Sequence, residues 1–596
     1  MRKLLVLIFL VICQLSTVNC LAQRMICRSS RFYVEDQALP QRVDPILQDS
    51  WYQDTPNNNM CPLDKDGKRC LVGCVATAMT QVMHYWEWPR KGTGSYEYVD
   101  VKGCGQKLSA NFGEHSYDWP NILDHYKEGQ YTSAQADAIA LLSSDCGIAV
   151  NMIYGAVTSG TRSVYQPIAL ANYFDYDRGI QMLFRDFYSL EEITLILKKE
   201  LAAGRPVLAA GGNNVRSHAF VIDGYDENDW FHLHVGNPDN EEDGWSYLPY
   251  MVPDHPTWYD KDSPENGMNL LQIFTIGVMP SADGRATGIE RHNFAFQYIN
   301  AVKEEENSRP VYPRKNVSVT VHDLSNVGWN LLGDSVAIML KQDGDLVCPL
   351  YVYDHEFQLE EVEDTTYTDT LQIAFPAEVK DGVYTMVPMY RDNALDGGKE
   401  WREARTTTGR PNYLIAQVTG ENVTLSSDTA SIAYLTLEDY DFPDYMIHNT
   451  NPEFSLTFKN HNAEMAGYFY LRLEDVNNPD RIFTMQKQGL TLAKDEVSTR
   501  TFKKSKIYIP NLGTYRLRIF YQNDLFADYL YEFVLPKDII ITILSGDEAT
   551  YPADEPTECI DYVAVFNGRA EAIESHVIDE PEVSDHRPLV VWVRLR

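Results

Sequence analysis

Residues 69–86 read RCLVGCVATAMTQVMHYW. Val75, Met79, Val82 and Met83 recur at helical spacing, which gives a helix one apolar face to anchor in a core. Ala76 and Ala78 keep that helix slim enough for close packing. Cys74 stands at the mouth of the helix, directly after Gly73. The first turn of a helix presents unpaired N–H groups and a partial positive charge, and both stabilise a thiolate. A glycine just before it lets the backbone turn sharply. The stretch predicts a pinned helix with a reactive sulfur at its positive end.

A thiol nucleophile needs a base, which in a folded chain comes from a residue distant in sequence. His218 opens the stretch HAFVIDGYD, after the polar, glycine-containing GGNNVRS. An imidazole at a strand edge can face a cleft while Phe220 and Ile222 anchor its strand. An oxyanion also needs a donor, and Gln53 in SWYQDTPNNNMCP is a candidate amide upstream of the cysteine.

The surroundings read as mixed helix and strand. TSAQADAIALLSSDCGIAV carries a Ser/Thr start signal followed by helical apolar spacing. SLEEITLILKKELAAG has Ser189 as N-cap, Glu192 three residues on and Gly204 as its stop. RPVLAAGG, HAFVIDGYD and WFHLHV are short, β-branched or aromatic and separated by turn residues, so they predict an antiparallel meander. From about residue 285 the pattern changes. NVSVTVHDL, DSVAIMLKQDG, GVYTMVPMY, PEFSLTFKN, GYFYLRLED and GTYRLRIFY are alternating strands at regular intervals. They predict two all-β sandwich domains of immunoglobulin-like type, at 285–435 and 436–537.

A chain of 596 residues is too long for one core. Its 51 basic and 85 acidic residues leave a formal charge of −34, a surface that repels phosphate backbones and anionic membranes. Nucleic acid is therefore not expected as a partner. The first residues, MRKLLVLIFLVICQLSTVNCLAQRM, pair two basic residues with an apolar run too short to remain as a span. They predict a secretory signal at 1–22, cleaved after Ala22, with a short leader at 23–45. A lipid on Cys20 is the disfavoured alternative, because Asn19 is a poor residue before a lipidated cysteine. No other segment is apolar for long enough to cross a bilayer. The expected location is outside the cytoplasm of a bacterium: secreted, cell-surface or periplasmic. Of ten cysteines, eight follow the signal, too sparse for a disulfide scaffold and without a paired Cys-x-x-Cys metal pattern. Cys61 and Cys70 could bridge a loop, but spacing alone leaves that open.

Taken together, GCVATAMTQVM, GRPVLAAGG, SHAFVIDGYD and WFHLHV resemble the motifs of the streptopain-like cysteine peptidases, a bacterial branch of the papain-like fold. SYDWPNILDHY, DCGIAVNMIYGAVTSG and ALANYFDYD resemble that family's intervening segments in order. The resemblance covers residues 46 to about 250 and implies an α+β papain-like catalytic domain at 46–284. It implies Cys74 as nucleophile, His218 as general base and acid, and Gln53 in the oxyanion hole. The reaction it implies is hydrolysis of protein or peptide substrates through a thioester, with no metal and no organic cofactor expected.

Two departures from the family stand out. Where it carries an Asn-Trp pair after the histidine strand, this chain has His234 and Val235. A neutral His234 is expected to orient His218 by accepting a hydrogen bond from its ring. Val235 cannot shield that bond as an indole would. A catalytically impaired protein that binds extracellular polypeptide or glycan is therefore the alternative to a working peptidase. The family's inhibitory pro-domain, about a hundred residues long, does not fit the leader, so an enzyme made as a zymogen is expected to have its inhibitor elsewhere in the chain or on a separate inhibitor protein. Finally, CIDYVAVF and SDHRPLVV in the extension at 538–596 resemble the last strands of the endonuclease/exonuclease/phosphatase superfamily. Asp585 and His586 look like its Asp-His pair, but the rest of that fold has no room here. The extension is read as a short β-rich fragment without nuclease activity.

Overall fold

The computed structural model describes residues 39–212, 217–236, 243–249, 251, 267–281, 294–302, 309–327, 335–354, 367–391, 399–443, 445–447, 454–502, 513–522, 531–533, 539–544, 570–577 and 589–595. The signal segment, Cys20, Asp585 and His586 lie outside the described residues.

Among the described residues the first domain holds four α-helices: α1 (Cys74–Trp86), α2 (Ser133–Ala149), α3 (Tyr165–Tyr173) and α4 (Leu190–Ala202). Their ends follow local chemistry. Thr132 caps α2, accepting from the Gln135 N–H, while the Gln135 side chain accepts the Thr132 N–H at 2.8 Å. Ser189 Oγ accepts the Glu192 N–H at 3.2 Å to start α4, and Gly204 at φ 71° follows its end. Strands β1 (Tyr96–Val99) and β2 (Lys107–Ala110) form a separate antiparallel pair.

The site is built on an antiparallel sheet of six strands: β3 (Gln181–Phe184), β4 (Val207–Gly212), β5 (Ser217–Tyr225), β6 (Trp230–His234), β7 (Gly244–Tyr247) and β8 (Leu270–Ile276). Their spatial order is β3-β8-β4-β5-β6-β7. The meander expected from RPVLAAGG, HAFVIDGYD and WFHLHV is present as β4-β5-β6, in the register Ala209↔Phe220 and Ile222↔Leu233. Alternation along these strands divides two cores. Leu208, Ala219 and Val221 join Val75, Ala76, Met79, Val82 and Met83 of α1 and Ile139 and Leu142 of α2. Val207, Ala209, Phe220 and Ile222 join Ile193, Ile196, Leu197 and Leu201 of α4 on the opposite side. Strand β5 is thus covered on both faces, and only Ser217 at its start is exposed.

The leader is not wholly separate from this domain. Val43 and Tyr225 exchange backbone hydrogen bonds of 2.8 and 2.9 Å, so the ordered fold begins before the expected residue 46.

Two all-β regions follow. In the first, one sheet contains Ser335–Gln342, Gly382–Arg391 and Leu414–Thr419, and another contains Val317–Asn326 and Tyr298–Ala301. Val319, Val321, Ile338, Leu340, Met386 and Leu414 share one core between them. In the second, a sheet with Phe454–His461 meets one with Met465–Asp475 and Gly513–Gln522 around Phe458, Phe469, Leu471 and Ile519. The expected end at 537 is too early, because Ile539–Leu544 pairs with Gly513–Gln522 and buries Ile541 in that core. Within the extension, Ala570–Val577 and Leu589–Leu595 form an antiparallel pair.

The segment from Arg185 to Glu192 ties the first domain to both β regions. Glu192 takes Arg405 bidentately at 2.5 and 3.1 Å, while Arg185 and the Leu190 N–H both reach Glu464, at 3.0 and 2.7 Å.

Candidate active site

Helix α1 begins at Cys74, and Gly73 before it has φ 90°. The Gly73 carbonyl accepts the Thr77 N–H at 3.0 Å and the Thr77 hydroxyl at 3.1 Å, closing the first turn. Cys74 is only partly buried, unlike Val75 and Ala76 beside it. On β5, His218 stands opposite Gly211, which has no side chain of its own to set beside the imidazole.

These two residues meet. Burial pushes the Cys74 thiol up, but the charge and hydrogen bond of His218 outweigh it, with help from the backbone of Ala219 and Val75. The result lies below the ordinary thiol value. Every other described cysteine goes the opposite way. Burial and the nearby Cys70 push Cys61 up to about 12, burial and Cys104 push Cys70 up to about 11, and burial raises Cys104, Cys146 and Cys348. Cys61 and Cys70 are buried free thiols, not a bridge.

The second ring nitrogen of His218 is also fixed. Nε2 lies 3.0 Å from the Val235 carbonyl oxygen. A carbonyl only accepts, so Nε2 carries a proton and Nδ1 is the nitrogen left for the thiol.

The expectation that His234 orients His218 is therefore corrected. The His234 ring is buried between two carboxylates, with Nε2 3.1 Å from Asp49 Oδ1 and Nδ1 2.6 Å from Asp243 Oδ2. Burial disfavours its charge, yet Asp49 and Asp243 raise its pKa well above the ordinary value. Both of its ring nitrogens are taken by carboxylates, so neither is left to accept from His218. The acceptor comes instead from the main chain one residue later.

Gln53 lies beside the segment leading to Cys74. Its carbonyl accepts the Val72 N–H at 2.9 Å, and Asn58 Nδ2, from the same loop, donates to the Cys70 carbonyl at 3.0 Å. Asp49, Asp243, Gln81 and the Val235 carbonyl were missed in the sequence. Asp243 sits in the acidic run EEDGW, which reads as a solvated loop, and a main-chain oxygen leaves no residue-type signature. Among the described residues no cluster of metal-ligating side chains is present, and no helix is long and apolar enough to cross a membrane.

A thiol with a lowered pKa at a helix mouth, beside a strand imidazole on an α+β scaffold, is the arrangement that thiol peptidases use. Residues 51–245 match the Peptidase C10 family. The chain is 33% identical over 247 residues to the thiol protease/hemagglutinin PrtT of Porphyromonas gingivalis, covering 41% of this chain and 27% of that protein. It is 31% identical over 219 residues to streptopain of Streptococcus pyogenes, covering 36% of this chain and 54% of streptopain. Among solved structures it is similar to the active wild-type Prevotella intermedia interpain A cysteine protease, at 31% identity, 41% coverage of this chain and 99% of that one, with a TM-score of 0.37. Residues 51–245 form a streptopain-like cysteine peptidase domain of the Peptidase C10 family. The chain spans between about a quarter and a half of the length of these two curated relatives.

Proposed function

We propose that the chain is a secreted bacterial cysteine endopeptidase whose nucleophile is Cys74 and whose general base and acid is His218. The observation that carries this reading is the Cys74–His218 pair, with the thiol lowered and the imidazole tethered through Nε2. The Cys74 thiolate attacks the scissile carbonyl carbon, and the Gln53 amide stabilises the oxyanion that forms. The His218 imidazolium gives its proton to the leaving amine, so the C–N bond breaks and a thioester remains. Neutral His218 then takes a proton from water, and the resulting hydroxide releases the acid and restores the thiolate.

The main-chain acceptor at Val235 favours a working site over a retired one. A backbone oxygen does not depend on whether the side chain at 234 or 235 is Asn, His, Trp or Val.

The two β regions are read as immunoglobulin-like sandwich domains over about 285–435 and 436–544, which present substrate or hold the enzyme near a surface. The ion pairs of Glu192 and Glu464 support that reading, because they fix both regions to the peptidase domain. A separate inhibitor protein remains part of the proposal.

The test is hydrolysis of an unfolded protein by the purified chain under reducing conditions, with Cys74→Ala as control. Cleavage that disappears in Cys74→Ala and on thiol alkylation is expected. A protein that cleaves nothing and leaves Cys74 unlabelled by a thiol-directed peptidase inhibitor overturns the reading.

A further inference from the structure

Behind His218 lies a buried charged cluster that the chemistry above does not use. Asp243 grips two consecutive residues at once. Its Oδ1 accepts the Val235 N–H at 2.7 Å, and its Oδ2 lies 2.6 Å from His234 Nδ1. The other nitrogen of His234 goes to Asp49 Oδ1, which also accepts from Gln81 Nε2 at 3.0 Å. Side-chain exposures of 2% for His234, 1% for Asp49 and 6% for Asp243 place the whole cluster out of water.

The connections run between the two halves of the site. Gln81 lies on α1, seven residues beyond Cys74, or about 10 Å along the same rigid helix. Val235 follows the last residue of β6, and its carbonyl holds His218 Nε2. Gly236, at φ 79°, brings the chain so close to α1 that a Cβ there would lie 3.3 Å from Thr77 and 3.6 Å from Gln81. The nucleophile's helix and the imidazole's acceptor are thus set against each other through Asp49, His234 and Asp243. A buried ionic cluster contributes little stability over well-packed apolar residues, so stability alone is a weak reason for one here.

We propose that Asp243 is a positioning residue for His218, and that with Asp49 and His234 it forms a clamp fixing the Val235 carbonyl against His218 Nε2. This rests on the peptidase reading for its consequence in hydrolysis, but not for its geometry. The charged groups facing the His234 ring are Asp49 and Asp243, and the titratable partner of Cys74 is His218. With the clamp intact, His218 keeps Nδ1 toward the sulfur. Without it, residues 234 and 235 lose both their side-chain and backbone anchors, and the imidazole turns more freely.

The experiment compares the full chain with Asp243→Ala, Asp243→Ser and Asp243→Asn. It reads the pH profile of Cys74 alkylation by iodoacetamide, kcat and KM on an unfolded protein, and near-ultraviolet circular dichroism. In Asp243→Ala, kcat is expected to fall by roughly tenfold or more with KM little changed, and the low-pH limb of alkylation to move upward. Asp243→Ser keeps a polar group but is too short to reach the Val235 N–H, and carries the same expectation. Asp243→Asn keeps an oxygen for that N–H, and its amide can donate to Nδ1 of a His234 left neutral by the loss of one carboxylate, so it is expected to recover most of the rate and the profile.

The proposal falls if folded Asp243→Ala or Asp243→Ser matches the wild type in both readouts. It also falls if neither short variant folds while Asp243→Asn is fully active, since the role is then stability alone. A wild-type protein without a low-pH limb likewise removes the ion pair that the clamp is meant to hold. A wild-type protein that shows the limb but cleaves nothing refutes the peptidase reading, and the alkylation profiles of the variants still decide the clamp.

Discussion

Gly73 lies directly against Met152: a Cβ on this glycine would sit 2.6 Å from both the sulfur and the terminal carbon of that side chain. Met152 is flexible and can yield, but φ at Gly73 is 90°, a backbone region that side chains disfavour. Gly73→Ala is expected to cost about 1–2 kcal/mol and to lower kcat, because the first turn of α1 carries Cys74 with it. Denaturant unfolding and steady-state rates check both. Adding Met152→Ala relieves the contact and leaves the backbone strain, so the double variant should recover only part of the loss.

The Cys74 thiol is the one lowered thiol among the described cysteines, while Cys61 and Cys70 are pushed up to about 12 and 11 by burial and neighbouring thiols. Iodoacetamide at pH 6 is therefore expected to modify Cys74 well ahead of Cys61, Cys70, Cys104, Cys146 and Cys348. Peptide mass spectrometry on a time course reads the order. His218→Ala should erase the preference, since the imidazole supplies the charge and the hydrogen bond that overcome burial.

Restoring the family's Asn and Trp at 234 and 235 is expected to lower activity, not raise it. The shorter, neutral amide of a His234→Asn variant cannot bridge Asp49 and Asp243 with a positive charge, and it leaves two buried carboxylates uncompensated. Val235 is only 3% exposed within the core beside α4, so an indole there overfills the space. A double variant with several-fold higher kcat than the wild type would show that the clamp is dispensable.

Much of this site was legible because its parts have local signatures. A cysteine after glycine at the head of an apolar stripe marks α1, and Ser189 with Glu192 marks the start of α4. Alternation and turn residues mark β4, β5 and β6 well enough to put His218 at a strand edge. His234 was misread because its role is set by tertiary partners. Asp49 lies 185 residues upstream, and Asp243 lies in a run of acidic residues that resembles any solvated loop. The acceptor for His218 escaped for a different reason: every residue type carries a carbonyl. The boundary near 537 failed because Ile539–Leu544 becomes a core strand only when paired with Gly513–Gln522.

Arg405 joins the first β region to the peptidase domain with several contacts. It forks onto Glu192, reaches the Phe187 carbonyl at 3.2 Å and lies 4.0 Å over the Tyr188 ring. Arg405→Ala leaves Glu192 largely buried without its partner and is expected to cost about 3 kcal/mol. Arg405→Lys keeps the charge but not the planar fork, so it should recover only part of this. Denaturant unfolding measures the loss. Limited proteolysis should show earlier release of the peptidase domain, with the Cys74 alkylation profile unchanged in that domain.

His234 gives the fold a pH dependence of defined sign. Its folded pKa lies well above the ordinary 6.5, because the two carboxylates outweigh the cost of burying the charge. The stability contributed by protonating His234 is therefore fully present below about 6.5 and is lost as pH rises through the folded value. The difference in unfolding free energy between the wild type and His234→Gln is expected to be largest at pH 6 and to shrink progressively at pH 7.5 and pH 9. Comparing the two proteins cancels the titrations they share, so the trend reports the imidazolium itself. A difference that stays constant across this range would mean that His234 sits neutral between Asp49 and Asp243. The clamp would then act through hydrogen bonds without the charge.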